Sequence, residues 1–190
     1  MRARTGGCPS ADLTRRTSLP LSLLSVIGLL LVISIGSAGA QSLSPGLSSD
    51  PVGTISGPAR DIDGDTLEIR GERIRMFGID APESTQTCTY RGRIIACGTE
   101  AAAALALAVD QRTVTCRGVA RDVYGRRVAI CAIGFGDQQM DLGAWMVAWG
   151  AAVAADADRY TAIEEQARET QQGIWQTEFQ MPEDYRRSQR

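Results

Sequence analysis

From Val52 to Ile133 apolar and polar positions alternate in short runs, and beyond Asp141 they take the wider spacing of helices. Val52–Gly57 is a plausible first strand. Thr66–Arg70 reads Thr, Leu, Glu, Ile, Arg and predicts a second strand. Gly71-Glu72 makes a tight connection into a third, Arg73–Ile79, with Gly78 a candidate bulge. Pro82 then stops the ladder, because it has no amide hydrogen to give. Glu83–Gly98 mixes turn formers, charges and two Cys, and predicts an exposed loop. Thr99 is placed to cap an Ala- and Leu-rich helix running to about Val109. Thr113–Arg117 and Arg126–Ile133 predict two more strands around a turn at Asp122–Gly125. Asp141 can cap a second helix that sets Leu142, Trp145 and Trp149 on one face and ends at Gly150. A third helix, Arg159–Gln172, carries Tyr160, Ile163 and Ala167 inward and stops at Gly173.

Three strands, a helix, two strands and two helices predict an α+β chain: a five-stranded OB-fold β-barrel with three helices, whose surface commonly binds nucleic acid. The barrel would occupy residues 52–187. Ahead of it, Gln41–Pro51 is rich in Ser, Gly and Pro and reads as a flexible linker. Residues 1–40 read as a signal peptide: Arg2, Arg4, Arg15 and Arg16 precede the apolar stretch Leu21–Ile35, and Ala38-Gly39-Ala40 suits a signal peptidase. At about 15 residues the apolar run is short of the roughly 20 that span a bilayer, which favours cleavage over a retained anchor. The expected location is therefore periplasmic or secreted.

Composition narrows the chemistry. The 190 residues include no His, and all 20 basic residues are Arg. Nucleases that use a His base, a His metal ligand or a catalytic Lys are excluded, so acid–base work falls to carboxylates, Tyr, Cys or metal-activated water. Beyond residue 40 there are 16 Arg against 21 acids, a net charge of −5. The excess is uneven: Arg60–Arg127 holds 11 Arg and 10 acids, Val128–Arg190 only 5 Arg and 10 acids. Broad clamping of a polyanion is not expected, and attraction should be local.

Four Cys remain after the leader: Cys88, Cys97, Cys116 and Cys131. An even number in an exported chain suggests disulfides. Cys116 and Cys131 are equidistant from Val123-Tyr124, so a hairpin would place them opposite each other and leave Cys88 to pair with Cys97.

Three groups of residues carry candidate chemistry. Asp61-Ile62-Asp63-Gly64-Asp65-Thr66 is not an EF-hand, because its Gly stands fourth in the run rather than sixth, but Asp65 at a strand mouth offers hard oxygens suited to Ca²⁺ or Mg²⁺. Ile79-Asp80-Ala81-Pro82-Glu83 puts two carboxylates within four residues where Pro forces a turn. Asp80 and Glu83 can then face a common space, one to hold a cation and the other to polarise a water. Arg75 and Arg126 supply planar guanidinium groups for bidentate phosphate binding.

In their order and spacing these residues, with Asp122-Val123-Tyr124-Gly125-Arg126, Val147–Gly150 and Gly173-Ile174-Trp175, resemble the thermonuclease family, the staphylococcal-nuclease-like Ca²⁺ nucleases. The likeness covers roughly Val52–Arg187. It implies an OB-fold and phosphodiester hydrolysis of DNA and RNA. It further implies that Asp65, Asp80 and the Ala81 carbonyl bind Ca²⁺, that Glu83 is general base or orients the water, that Arg75 and Arg126 bind the phosphate, and that Tyr124 lies near the nucleotide. Two departures stand out. Ala81 replaces a Thr of the type member, at a position where the ligand is backbone. The tyrosines that follow the Gly150 position in the type member are missing: Ala154-Ala155-Asp156-Ala157-Asp158 stands there, with only Tyr160 after it. Stacking is worth about 1–3 kcal/mol per base, so weaker substrate binding is expected.

The sequence thus predicts an exported Ca²⁺-dependent nuclease, monomeric, acting on DNA and RNA with single strands preferred. The alternative is a noncatalytic OB module of the cell envelope that binds nucleic acid or protein.

Overall fold

β1 (Thr54–Asp63) runs through the whole barrel and changes partner along its length. Thr54 to Pro58 pair with β7 (Thr113–Arg121), and Ala59 to Asp63 pair with β2 (Thr66–Ile69), both antiparallel. Pro58 stands on the last rung toward β7, where its missing amide falls at the margin of a ladder. The strand expected to stop at Gly57 continues for that reason. β2 turns into β3 (Glu72–Met76) through Arg70-Gly71, both with positive φ, so the connection begins one residue earlier than expected. β7 returns as β8 (Arg127–Ile133), and β8 lies parallel to β3 and closes the barrel. This is a mixed α+β fold on a closed five-stranded barrel in the order β3-β2-β1-β7-β8.

The structure is a computed structural model that describes residues 52–134, 136–155 and 158–190. The expected leader (1–40) and linker (41–51) lie outside the described residues, as do Asp156 and Ala157. Short strands complete the fold: β4 (Ile79–Asp80) with β10 (Val153–Ala154), the hairpin β5 (Cys88–Tyr90) with β6 (Arg93–Ile95), and β9 (Met140–Asp141) beside β8. The expected single strand Arg73–Ile79 is in fact two. Phe77-Gly78 breaks it, with Gly78 at φ +79°, and the chain passes from β8 to β10 as partner.

Four helices occur among the described residues, one more than expected. α1 (Cys97–Val109) starts two residues ahead of Thr99 and has no side-chain cap, so Thr99 is not its cap. α2 (Leu142–Ala148) is capped by Asp141, which accepts from the Ala144 amide at 3.1 Å. Its buried face is Leu142, Gly143, Met146 and Val147. Trp145 only flanks the core and Trp149 is exposed, so the expected tryptophan face is one position off. α3 (Thr161–Glu169) buries Glu164 and Ala167 behind a 3₁₀ turn at Asp158–Tyr160. α4 (Pro182–Ser188) was not expected: it offers only Pro182 to the interior, so its sequence carries no apolar period.

The core follows the alternation. Leu67, Ile69, Ile74, Met76 and Val114 point into the barrel, and Leu105, Leu142, Met146 and Val147 close its helical side. Each such side chain contributes about 1.5–3 kcal/mol by leaving water. Disulfides join Cys88 to Cys97 and Cys116 to Cys131, the expected pairs. The turn is centred on Tyr124, since Arg121 faces Arg127, and that register would set Arg117 against Cys131. A bulge between Gly118 and Ala120 moves it by one residue and places Cys116 opposite. Two disulfides suggest an extracytoplasmic, oxidising compartment. Among the described residues no helix is long and apolar enough to cross a membrane.

Candidate active site

Two glycines explain why the acidic residues meet. Gly64 precedes Asp65 in the turn between β1 and β2. A Cβ there would stand 2.6 Å from the Ala81 Cβ and 2.9 Å from the Ala101 Cβ, so only glycine lets this turn press against β4 and α1. Gly98, in the first turn of α1, has the Glu83 carbonyl oxygen where its own Cβ would be, 1.7 Å away. The loop carrying Glu83 therefore rests on the helix. Gln86 secures it: its side-chain oxygen accepts from the Glu83 amide at 3.2 Å, its own amide donates to the Glu83 carbonyl at 2.7 Å, and its Nε2 donates to the Gln180 carbonyl at 2.6 Å.

The result is a cleft of about 310 Å³ walled by Asp65, Arg75, Ala81, Glu83, Tyr124 and Arg126, with Arg186 at its side. Asp65 and Asp80 are buried, each 5% exposed. One guanidinium clasps both: Arg75 Nη1 donates to Asp65 Oδ1 at 3.0 Å and Oδ2 at 2.9 Å, and Nη2 to Asp80 Oδ1 at 3.2 Å. Asp65 also accepts from the Thr66 hydroxyl at 3.0 Å and the Ala81 amide at 3.3 Å. Burial pushes the Asp65 carboxyl up to about 7 against the pull of Arg75, and the charges of Asp63 and Asp80 push the same way. Burial likewise works against the charge of Arg75, but Asp65 and Asp80 prevail and hold its pKa above the usual value.

Tyr124 and Arg126 stand across the cleft at the β7–β8 turn. Asp122 organises that turn: it accepts from the Tyr124 and Arg126 amides, both at 2.9 Å, and from Arg126 Nε at 2.6 Å. Burial opposes the charge of Asp122, but these bonds outweigh it and hold its pKa below the ordinary carboxylate range. The Arg126 side chain makes no other hydrogen bond among the described residues, which leaves both terminal nitrogens available. Tyr124 is 79% exposed, with the Arg126 guanidinium 5.7 Å from its ring centre.

Of the residues singled out in the sequence, Asp65, Arg75, Ala81, Glu83, Tyr124 and Arg126 line the cleft, and buried Asp80 is joined to them through Arg75. Over residues 73–177 the chain matches the staphylococcal nuclease homologue family, more than half its length. It belongs to that family. The matched span includes Arg75, Asp80, Glu83, Tyr124 and Arg126, begins after Asp65 and ends before Arg186. The chain is also 39% identical over 129 residues to succinoglycan biosynthesis protein ExoI of Rhizobium meliloti (strain 1021). That match covers 65% of this chain and 66% of ExoI, just under two thirds of the relative.

Members of this nuclease family are typically Ca²⁺-dependent, and the donors fit that ion in kind: buried carboxylates, and no nitrogen ligand. They are few. Among the described residues no three His, Cys, Asp or Glu gather as a metal group. Ca²⁺ takes six to eight oxygens, so water and substrate would complete its shell.

Sequence reasoning missed two residues here. Arg186 of α4 donates through Nη1 to Asp80 Oδ1 and Glu83 Oε1 and through Nη2 to Asp80 Oδ2, all at 2.8 Å. Gln86 fixes the Glu83 loop. Neither belongs to a motif, and no local signal in the sequence marks either. Tyr160, the first tyrosine after the acidic stretch, is buried away from the cleft. Its hydroxyl donates to Asp141, and its ring packs on Gly143 and Gly78.

Proposed function

We propose that this chain is an exported Ca²⁺-dependent nuclease that hydrolyses phosphodiester bonds of DNA and RNA, with single strands preferred and the protein acting as a monomer. The observation that carries the reading is the meeting, at one cleft, of two buried carboxylates clasped by Arg75 of β3, a third carboxylate, a second guanidinium from the β7–β8 turn and an exposed tyrosine. Asp65, Asp80 and the Ala81 carbonyl would hold the cation, which supplies positive charge beside the phosphate when bound. Glu83 sits on a loop braced by Gln86 and Gly98. It is placed to orient a water and accept its proton, and no His competes for that task. Arg126 offers the phosphate both terminal nitrogens. Arg75 has N–H donors beyond its three carboxylate contacts and faces the same space. Together they stabilise the charge that gathers on the phosphoryl oxygens as water attacks. Tyr124 offers a face on which a base can rest, in place of the missing tyrosines. Only a flexible strand can lay a phosphate into the cleft and turn a base onto Tyr124 together, which favours single-stranded substrate.

A second reading is a noncatalytic OB module of the cell envelope. Arg186 favours it, because that guanidinium occupies Asp80 and Glu83, and so does the relative named for succinoglycan biosynthesis. The deciding experiment incubates purified residues 41–190 with single-stranded DNA, with Ca²⁺ or with chelator. Ca²⁺-dependent cleavage is expected. Binding without cleavage under both conditions would support the module.

A further inference from the structure

Arg186 reaches the cleft from α4, 103 residues beyond Glu83 in sequence. Its guanidinium covers both oxygens of Asp80 and one of Glu83. The hydrogen bonds to Asp80, opposed by partial burial and reinforced by Glu83, hold its pKa well above the usual Arg value. These are the oxygens that a cation at Asp80 and a water-orienting Glu83 both need, so Arg186 has to leave them for the site to work. It has room to do so, because its side chain is 35% exposed. Its helix is held independently: Pro182 is buried, and the Tyr185 hydroxyl donates to the Thr85 carbonyl at 3.3 Å. Charge points to where the guanidinium goes. Asp65, Asp80 and Glu83 face Arg75 and Arg186. A divalent cation at Asp80 and Glu83 takes over the positive charge that Arg186 supplies there and repels the guanidinium, and an incoming phosphodiester gives it a new anionic partner.

We propose that Arg186 is a tethered counter-cation of the cleft: it holds Asp80 and Glu83 in the absence of a divalent ion, competes with that ion for Asp80, and passes to the substrate phosphate when displaced. The inference rests on the nuclease reading and adds a substrate-binding residue to it. The fold is suited to this hand-over. A cation supplied by the chain keeps Asp80 and Glu83 satisfied without metal, where two apposed carboxylates would otherwise repel, and the same group is at hand when substrate arrives.

Calorimetric Ca²⁺ titration of the protein and its Arg186→Gln variant tests the competition, with circular dichroism to follow folding. Ca²⁺ binding should tighten about fivefold in Arg186→Gln, the scale of a partly exposed ion pair. Arg186→Lys, which keeps the charge without the fork, should fall between. Arg187→Gln is the control for a loosened helix: Arg187 pairs with Asp184 on the solvent side and should leave affinity unchanged. Equal or weaker Ca²⁺ binding in Arg186→Gln overturns the competition, as does an equal rise in Arg187→Gln. At saturating Ca²⁺, KM for single-stranded DNA should rise about tenfold in Arg186→Gln, and an unchanged KM overturns the hand-over. Cleavage by the unsubstituted protein judges the nuclease reading separately, since Ca²⁺ affinity is read without turnover.

Discussion

Glu83 hangs from a turn tied at both ends to Gln86, whereas Arg126 is held by Asp122 through its backbone amide and one side-chain nitrogen. Substituting either should leave the fold intact, because neither side chain is buried in the core. If Glu83 positions a water and Arg126 grips the phosphate, Glu83→Gln and Arg126→Ala should each lower kcat at least a hundredfold, in line with about 10²–10⁴-fold for a positioned base and about 10²–10³-fold for a preorganised donor. Arg126→Lys should not recover activity, since the ammonium keeps the charge but loses the planar fork. Turnover on single-stranded DNA at saturating Ca²⁺ measures this, with circular dichroism as the folding control. Near-normal turnover in both Glu83→Gln and Arg126→Ala would favour the binding module. Asp80 and Glu83 were legible because four residues and a proline bring them together locally, Asp65 and Arg126 because they flank tight turns, and Arg75 because it lies on a strand five residues before Asp80. Arg186 and Gln86 were not. Arg186 meets Asp80 across 106 positions, and the Gln86 amide meets Gln180 across 94, so no local pattern could mark either.

Elements differ in what they hold. The bond Cys116–Cys131 spans a β-hairpin of the barrel itself with a sequence separation of 15, for which chain entropy suggests about 3 kcal/mol. Replacing both Cys by Ser should lower stability to urea by that order and leave turnover nearly unchanged. The bond Cys88–Cys97 instead fastens the far end of the Glu83 loop to the start of α1, beside Gly98. Replacing that pair should depress turnover more than stability. Equal effects from both pairs would mean that the loop keeps its place without its clasp. α2 and α3 are joined through Tyr160, whose hydroxyl donates to Asp141 Oδ1 at 2.9 Å while Arg159 Nε donates to it at 3.0 Å. Burial, chiefly, pushes this phenol up to about 12, where an unfolded Tyr ionises near 10. The stability it contributes is therefore whole below pH 10 and lost as pH rises toward 12. Tyr160→Phe should cost about 1 kcal/mol near neutrality and should lack that alkaline loss in thermal melting. Among the elements, the barrel strands were legible from period-two alternation. The two-residue strands β4 and β10 and the polar α4 were not, because partners distant in sequence, not pattern, make them.

At the scale of the molecule, charge limits how a polyanion can be held. Beyond residue 127 the chain carries 5 Arg and 10 acids, and the sequence contains no Lys at all. Several Arg outside the cleft are already paired: Arg60 with Glu68, Arg127 with Glu72, Arg159 with Asp141, Arg168 with Glu164 and Arg187 with Asp184. Phosphate contacts should then centre on the cleft, on Arg75 and Arg126, joined by Arg186 if it is handed over. Each neutralised phosphate of a single strand contributes about −0.7 to the slope of log affinity against log salt, so two or three contacts give roughly −1.4 to −2. A basic OB surface tracking six or more phosphates would instead give about −4 or steeper. Affinity for a single-stranded oligonucleotide, read by fluorescence anisotropy in the Glu83→Gln variant at fixed saturating Ca²⁺ over a range of NaCl, should show the shallow slope. Arg126→Ala in that background should reduce it by about 0.7. A steep slope unmoved by Arg126→Ala would place substrate binding outside the cleft, because removing the cation that neutralises a phosphate removes that phosphate's counterion term.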